Sequence, residues 1–278
     1  MRLLALLLTP LALFGAEHPA PTELRVMTFN LRYASSEVPH AWAARRPVTK
    51  ACLELNTPDL IGTQEGLAGQ LADLRADLPA YAMLGQGREG GAKGEYSAIF
   101  YRRERFELRE THDYWLSSTP EVPGSKSWHT SLPRMVTWAR LRDRTTGRVF
   151  VFANTHFDHL SEEARVESAK LVRARLGLLA PHEPVLLVGD FNAVAQASAA
   201  YATFTGDGYL TDLFRSAAVR KGESLGTFHG YRQANPAGLH IDWLLGRGGW
   251  RARSAEVIAF EVRGQHPSDH YPVMVTLE

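Results

Sequence analysis

Short apolar runs that end in polar residues recur along the chain and predict strands of a buried sheet. The clearest run, 185–188, has four consecutive aliphatic residues between Pro184 and Gly189. This pattern predicts a strand that is buried on both faces. Asp190 and Asn192 follow the glycine directly. These two side chains are either functional groups at a strand end or residues that only shape a turn.

The rest of the chain shows the same alternation of strand and helix patterns. Strand-like patterns cover 24–31, 60–66, 96–116, 135–156, 238–245, 255–262 and 271–277. Helical spacing of apolar residues covers 42–55, 69–78 and 161–179, and a small alanine-rich helix is expected after Asn192. Because strands outnumber helices and many are joined by short turns, the pattern favours mixed sheets with outer helices over a doubly wound parallel sheet.

Composition and net charge describe an ordinary globular chain. Its 278 residues are 45% hydrophobic and 22% charged, and no composition break marks a linker, so we expect a single domain over 21–278. The formal net charge of +1 makes a broad cationic surface for nucleic acid less expected. No protein partner can be inferred from the sequence.

The N-terminus has the pattern of an export signal. Met1-Arg2 precedes an apolar run over 3–14, which predicts a signal peptide over about 1–16 and a periplasmic or secreted protein. The run is too short to cross a bilayer comfortably, so no stable membrane insertion is expected. The single cysteine, Cys52, lies in a helical pattern and is interpreted as a buried apolar residue.

Candidate metal ligands and acid–base groups occur at several predicted strand ends and loops. The oxygen-bearing residues are Asn30, Glu65, Asp190, Asn192, Asp242 and Asp269, and the imidazoles are His156 and His270. Oxygen donors of this kind suit Mg²⁺, with Mn²⁺ as an alternative, and no cysteine cluster or His-Glu-x-x-His segment indicates zinc. A hard divalent ion beside imidazoles is typical equipment for hydrolysing a phosphate ester.

Six short motifs, in this order, give the chain a specific resemblance. They are Phe29-Asn30, Gln64-Glu65, Thr155-His156, Gly189-Asp190-Phe191-Asn192, Ile241-Asp242 and Ser268-Asp269-His270-Tyr271-Pro272. The chain thereby resembles the endonuclease/exonuclease/phosphatase superfamily. The segments that resemble its bacterial exported branch are Gly94-Glu95-Tyr96, Tyr114-Trp115-Leu116-Ser117, Pro133-Arg134 and 154–159. The resemblance implies a four-layer α/β sandwich, in which two mixed sheets pack face to face between outer helices.

The resemblance also implies roles for the metal ligands and the groups around the attacking water. Glu65 would be the principal metal ligand, helped by Asn30 and Asp269. Asp190 would orient or deprotonate the water, and Asn192 would hold a phosphoryl oxygen.

Further roles concern the phosphate and its charge. Asp242 would pair with His270 and favour its protonated form, while His156 would contact the phosphate or protonate the leaving oxygen. Arg134 would be a second cationic clamp, or else a structural ion-pair partner. Tyr96 would contact the phosphate, or else be a core aromatic.

Three functions of different classes are compatible with these residues. The leading one is an exported, magnesium-dependent phosphoesterase acting on a phosphate mono- or diester of a small or lipid-linked substrate, such as a sugar phosphate, inositol phosphate or phospholipid headgroup. The alternatives are a secreted nuclease and a catalytically silent binding protein on the same fold. Two departures from the branch, His129 and the short segment 35–40, lie where a substrate pocket is expected and bear on specificity.

Overall fold

The computed structural model describes residues 22–232 and 239–278, and the predicted export signal lies outside them. The strands are β1 (Leu24–Asn30), β2 (Leu60–Gly66), β3 (Tyr81–Leu84), β4 (Tyr96–Arg102), β5 (Phe106–Trp115), β6 (Met135–Asp143), β7 (Val149–His156), β8 (Val185–Asp190), β9 (Thr211–Asp212), β10 (Val219–Lys221), β11 (Asp242–Arg247), β12 (Ala252–Val257) and β13 (Val273–Leu277). The helices are α1 (Trp42–Asn56), α2 (Ala68–Asp77), α3 (Glu162–Leu179), α4 (Ala199–Thr205) and α5 (Leu213–Ser216), with a short 3₁₀ turn at Gly206–Gly208.

The strands form two mixed sheets. The first has seven strands in the order β10-β12-β13-β1-β2-β4-β3, and the second has six in the order β5-β6-β7-β8-β11-β9. Each sheet contains a central parallel pair, β1 with β2 in the first and β7 with β8 in the second, and most other neighbours are antiparallel. The predicted fold class is therefore confirmed.

Alternate residues of the central strands face opposite layers of the core. In β1, Val26 packs in the cluster between the two sheets, and Met27 packs in the cluster under α1 and α2. In β8, Val188 lies between the sheets and Leu187 lies in the cluster under α3 and α4. This double burial explains the continuous apolar run at 185–188 and gives the four layers.

Several element boundaries match the sequence pattern, and others do not. Helix α3 begins after Ser161, whose hydroxyl accepts a hydrogen bond from Ala164 N–H, as expected for an N-cap. Cys52, on α1, is buried in the apolar core as interpreted. The strand expected over 255–262 instead ends at Val257. The Ile258 N–H makes one more in-register bond, to the carbonyl of Pro272, and the ladder stops there because Pro272 has no N–H to donate in return.

Polar side chains join the two sheets close to the ends of their parallel pairs. The Gln64 Nε2 donates to Asn154 Oδ1 at 2.7 Å, and Asn154 Nδ2 donates to the carbonyls of Thr63 and Ala98 at 2.8 and 2.9 Å. Gly62 permits this contact, since a Cβ there would lie 2.7 Å from Asn154 Oδ1. Both parallel pairs thus end at the same edge of the sandwich. None of the described helices combines the length and the apolar character needed to cross a membrane.

Candidate active site

The ends of four central strands carry the predicted catalytic side chains. Asn30 ends β1, His156 ends β7 and Asp190 ends β8. The parallel register aligns His156 with Asp190, and the antiparallel register aligns Asp242 of β11 with Asp190. Residues from distant parts of the chain are therefore brought together by sheet pairing alone.

Glu65 reaches the same place through an irregularity in β2. The pairing of β2 with β4 shifts register between Thr63 and Gly66, and Glu65 has a φ of 62°. A bulge of this kind re-aims a side chain, and a left-handed non-glycine residue has a cost of about 1 kcal/mol or more that is characteristic of functional sites. The sequence pattern alone predicts a regular strand here, so this feature is visible only in the structure.

A carboxylate pair lies at the centre of the site. The amide nitrogen of Asn30 donates to Glu65 Oε1 and to Asp190 Oδ2, each at 2.9 Å. Ligand atoms of Glu65, Asp190 and His270 all lie within 4.8 Å of one another. Burial and the neighbouring Asp242 raise the pKa of Asp190 to about 7, and the Asn192 backbone N–H, which donates to Asp190 Oδ1, opposes this rise.

This donor set fits a hard divalent cation. Glu65 and Asp190 would repel each other at this distance unless a proton, a hydrogen-bond donor or a cation lies between them. Carboxylate and amide oxygens are the donors that Mg²⁺ and Mn²⁺ prefer. Glu65, Asp190 and the Asn30 amide could therefore hold such an ion.

His270 is held in its charged form by Asp242. The His270 Nδ1 lies 3.0 Å from Asp242 Oδ2, and both side chains are buried. Burial lowers the pKa of His270, but Asp242, together with Asp190, outweighs it and raises that pKa to about 10. The His270 Nε2 lies 3.8 Å from Asp190 Oδ2, so the imidazolium faces the carboxylate pair.

A loop from the C-terminal third fixes both members of this pair. The Thr227 hydroxyl accepts hydrogen bonds from the backbone N–H groups of Ile241 and Asp242 at 3.0 and 3.2 Å. The Thr227 carbonyl accepts from the Tyr271 N–H at 2.8 Å, and Phe228 forms a bridge to His270. Thr227 therefore sets the distance between Asp242 and His270.

His156 lies on the other side of Asp190 and is neutral. Burial, followed by the charges of Arg134 and Arg88, lowers the pKa of His156 well below its usual value. Its Nε2 lies 3.0 Å from the Asn192 side-chain nitrogen and 3.5 Å from Asp190 Oδ2. Asn192 has a φ of 47°, which turns its amide back toward His156 and the carbonyl of Phe157.

Arg134 is buried beside His156 with unused donors. Its side chain is only 4% exposed, and its Nε and Nη1 have no hydrogen-bond partner among the described residues, while its Nη2 lies 3.0 Å from His159 Nδ1. The nearest carboxylate, Asp158, has its Oδ2 at 3.8 Å from Arg134 Nε. That Oδ2 already accepts from Thr130 and Ser131, and Oδ1 accepts from two backbone N–H groups. Arg134 thus has a neighbouring counter-charge, and its N–H groups at Nε and Nη1 remain available for another acceptor.

Two predicted site residues have other partners in the structure. Asp269 lines the cleft, but its Oδ2 accepts from Arg32 Nη1 at 2.8 Å, and it does not belong to the Glu65 group. The Tyr96 hydroxyl donates to the carbonyl of Gly91, and its ring packs in the core under α1 and α2. Tyr96 does not line the cleft that contains Glu65.

These side chains open into one cleft of about 300 Å³. The residues that line it are Tyr33, Glu65, Arg88, Glu95, Leu132, Arg134, His156, His159, Asp190, Asn192, Phe228, Ile241, Asp269 and His270. Sequence reasoning assigned no site role to Tyr33, Arg88 or Phe228. Arg88 lies in the glycine-rich segment that the sequence identifies only as a loop, and its guanidinium pairs with both carboxylate oxygens of Glu95 at 2.6 and 3.1 Å.

Comparison with known proteins identifies the family of this site. The profile of the Endonuclease/Exonuclease/phosphatase family matches residues 27–270. The chain belongs to this family. Its members are phosphoesterases or nucleases and generally depend on divalent metal, so the protein is a phosphoric ester hydrolase of a family that generally uses a divalent metal.

Solved structures of the family resemble the chain over nearly its whole length. An endonuclease/exonuclease/phosphatase from Bacteroides vulgatus has 34% identity and a TM-score of 0.87, covering 93% of this chain and 99% of that one. A mannosyl-6-phosphatase from Bacteroides thetaiotaomicron has 37% identity and a TM-score of 0.86, covering 92% and 99%. The human Nocturnin catalytic domain with bound sulfate shares the fold, with 18% identity, a TM-score of 0.73 and coverage of 92% and 94%. No curated protein matches the chain significantly.

Proposed function

We propose that the protein is an exported, Mg²⁺-dependent phosphoesterase that hydrolyses a phosphate ester of a small sugar-like substrate. The observation that carries the proposal is the convergence of Glu65, Asp190 and an imidazolium, His270, within 4.8 Å. The similarity to a mannosyl-6-phosphatase at 37% identity supports a sugar phosphate over a phospholipid headgroup. Export rests on the N-terminal pattern over 1–16.

The residues divide between holding the cation, activating water and binding the phosphate. Glu65, Asp190 and the Asn30 amide would hold the ion, with Asp269 as a further ligand from the same cleft, and the ion would supply positive charge to the phosphoryl oxygens. Asp269 would do so while its other contacts, to Arg32 and Ser268, keep it in place. Asp190 orients the attacking water and takes its proton, since a pKa of about 7 suits a base near neutral pH.

The phosphate is bound by three donors on the opposite side of the carboxylates. His270 donates from Nε2, because its Nδ1 is held by Asp242. The free N–H groups at Nε and Nη1 of Arg134 offer further donors, and a guanidinium suits phosphate oxygens particularly well. The Asn192 Nδ2 would donate to the phosphate in exchange for its bond to His156 Nε2. The depressed pKa of His156 favours contact with the phosphate over protonation of the leaving oxygen.

A hydrolysis panel tests this proposal. Protein treated with chelator and then supplied with Mg²⁺ or Mn²⁺ is offered sugar phosphates, an inositol phosphate, phospholipids, a phosphodiester and plasmid DNA. We expect phosphate release from the sugar phosphates that stops when the metal is removed, and a loss of at least about a hundredfold in a folded His270→Gln variant. Failure to hydrolyse every ester, or cleavage of DNA as fast as the best small ester, would contradict the proposal.

Export is tested separately. We expect the full chain expressed in a Gram-negative host to be found in the periplasm or medium in a shortened form. Retention of the uncleaved chain in the cytoplasm would count against export and would leave the chemistry unaffected.

A further inference from the structure

Two exposed aromatic rings flank the reaction centre. Tyr33 is 41% exposed and Phe228 is 50% exposed, and these are the only aromatic side chains classed as exposed within 22–232 and 239–278. Both line the cleft that contains Glu65 and His270. Other exposed apolar side chains lie outside the cleft, but both exposed aromatic side chains line it, and exposed aromatic surface in a functional cleft indicates a binding surface.

Each aromatic residue contacts one member of the reaction centre. The Tyr33 backbone N–H donates to Glu65 Oε2 at 3.2 Å, and the Tyr33 side chain lines the same cleft as this proposed metal ligand. The centroid of the Phe228 ring lies 4.9 Å from that of His270, and the Phe228 backbone bridges to His270. A substrate whose phosphorus lies between Glu65 and His270 must therefore extend its leaving group past one or both rings.

The rest of the cleft limits what this leaving group can be. Its volume of about 300 Å³ is at the lower end for small-molecule sites, which suits one ring rather than a lipid or a duplex. Polar groups also line it, among them the exposed His159 and the Arg88–Glu95 pair. An apolar face beside hydrogen-bonding groups matches a pyranose, which has C–H groups on its faces and hydroxyls around its edge.

We propose that Tyr33 and Phe228 are specificity-determining residues that bind the face of a pyranose leaving group, so that the enzyme selects cyclic sugar phosphates over open-chain ones. This inference rests on the proposed phosphoesterase function. The two rings would contribute binding energy to a pyranose but not to a short acyclic alcohol, because such an alcohol has no flat C–H face to cover an aromatic ring.

A matched pair of substrates isolates this contribution. Mannose 6-phosphate and mannitol 1-phosphate have the same carbon number and a primary phosphate, but only the first closes into a pyranose. We expect the Mg²⁺-loaded enzyme to prefer mannose 6-phosphate by tenfold or more in kcat/KM. In Phe228→Leu and Tyr33→Leu, we expect kcat/KM for mannose 6-phosphate to fall on the order of tenfold to a hundredfold, the range that loss of an aromatic stacking partner gives, with mannitol 1-phosphate changed less than about threefold.

Conservative and distant variants serve as controls. Phe228→Tyr and Tyr33→Phe keep the rings and should retain the preference for mannose 6-phosphate. Leu178→Ala removes another exposed apolar side chain, on α3 and outside the cleft, and should change neither substrate. Thermal melting of each variant shows that it is folded.

The outcomes separate failure of this inference from failure of the proposed function. If no phosphate ester is hydrolysed with metal present, the proposed function itself fails. If esters are hydrolysed but the leucine variants lose both substrates equally, the rings only position Glu65 and His270, and the inference is wrong. Faster hydrolysis of adenosine 5′-monophosphate than of mannose 6-phosphate, lost in the same variants, would also overturn it, since the rings would then stack on a base.

Discussion

Replacing Asp242 with asparagine removes the charge that keeps His270 protonated and leaves a side chain of nearly the same shape. In the wild type, Asp242 Oδ2 lies 3.0 Å from His270 Nδ1, and both groups are buried. Burial alone would lower the pKa of His270, and Asp242 is the largest influence that raises it, to about 10. We therefore expect His270 to be neutral at pH 7.5 in Asp242→Asn.

The size of this effect follows from the pKa. One pKa unit corresponds to about 1.4 kcal/mol, so a rise from 6.5 to about 10 represents roughly 5 kcal/mol in favour of the imidazolium. Only part of that preference acts on the phosphate, and loss of one preorganised donor to a transition-state oxygen costs about a hundredfold to a thousandfold in kcat. We expect a loss in that range for Asp242→Asn at pH 7.5.

A pH profile of kcat/KM measures the change directly. Because the charged form of His270 is the active one, activity falls as pH rises through its pKa, near 10 in the wild type. In Asp242→Asn we expect this alkaline limb to move to near or below neutral pH. We also expect partial recovery of activity at pH 5.5 to 6, because loss of the Asp242 charge lowers the pKa of the base, Asp190, as well. His270→Gln, which cannot titrate, should lose the limb altogether.

Two results would refute this reasoning. One is an Asp242→Asn enzyme whose alkaline limb and rate match those of the wild type. The other is additive losses in kcat/KM from the two substitutions. If Asp242 acts only through His270, then Asp242→Asn in a His270→Gln background should change kcat/KM by little more than twofold. A full further loss in that background would give Asp242 a separate role.

Two further predictions concern Glu65 and Arg134 of the site, a third concerns His229, which is buried next to the site and stacks on the Tyr271 ring, and a fourth concerns the core. Glu65→Gln should raise the Mg²⁺ concentration for half-maximal activity by about tenfold or more, and an unchanged value would remove Glu65 as a ligand. Arg134→Gln should weaken inhibition by inorganic phosphate about tenfold, since hydrogen bonds to charged groups contribute about 1.5–3 kcal/mol. Arg134→Lys should give inhibition between that of the wild type and that of Arg134→Gln. Equal inhibition of the wild type and both variants would show that Arg134 has only a structural role. Burial lowers the pKa of His229 from 6.5 to about 4 in the folded protein. The free energy of unfolding should therefore be highest above pH 6.5 and should fall as the pH falls toward 4, because the unfolded chain binds a proton that the buried imidazole does not. His229→Gln should reduce this loss, measured by urea unfolding at pH 7 and 4.5. Gly62→Ala should lower the urea midpoint, because its Cβ would lie 2.4 Å from Val188 Cγ2, at a cost of about 1–3 kcal/mol; a wild-type midpoint would show that the sheets separate easily.

The sequence predicts the central strands well because their apolar runs are long and end in polar residues. The run at 185–188 is buried on both faces, and Asp190 ends the strand as expected. The sequence does not predict the short strands β10 and β3, because they contain no long apolar run. Strand β10 has only three residues, all of them exposed, so no apolar pattern marks it. Strand β3 has four residues, which are too few to show a strand pattern in the sequence.

At the site, sequence reasoning predicts which residues converge better than which pairs they form. The pairing of Asp242 with His270 follows the family resemblance and is present in the structure. The pairing of Asp269 with Arg32 is not visible in the sequence, because it depends on a left-handed Arg32, with a φ of 51°, that turns its side chain toward Asp269. The sequence does not identify Tyr33 and Phe228 as cleft residues for a similar reason. Whether a ring is exposed depends on which side chains pack around it in the folded protein.

The polar bridge between the sheets explains how residues on separate sheets keep a fixed geometry. Gln64 immediately precedes Glu65, and Asn154 lies two residues before His156 on the facing sheet. Because Asn154 bonds both to Gln64 and to the Thr63 carbonyl, any sliding of one sheet over the other would leave buried polar groups unpaired, at a cost of about 1–3 kcal/mol each. Apolar side chains between the sheets offer no such directional preference. The bridge, placed directly beneath the catalytic edge, therefore ties the position of Glu65 to that of His156.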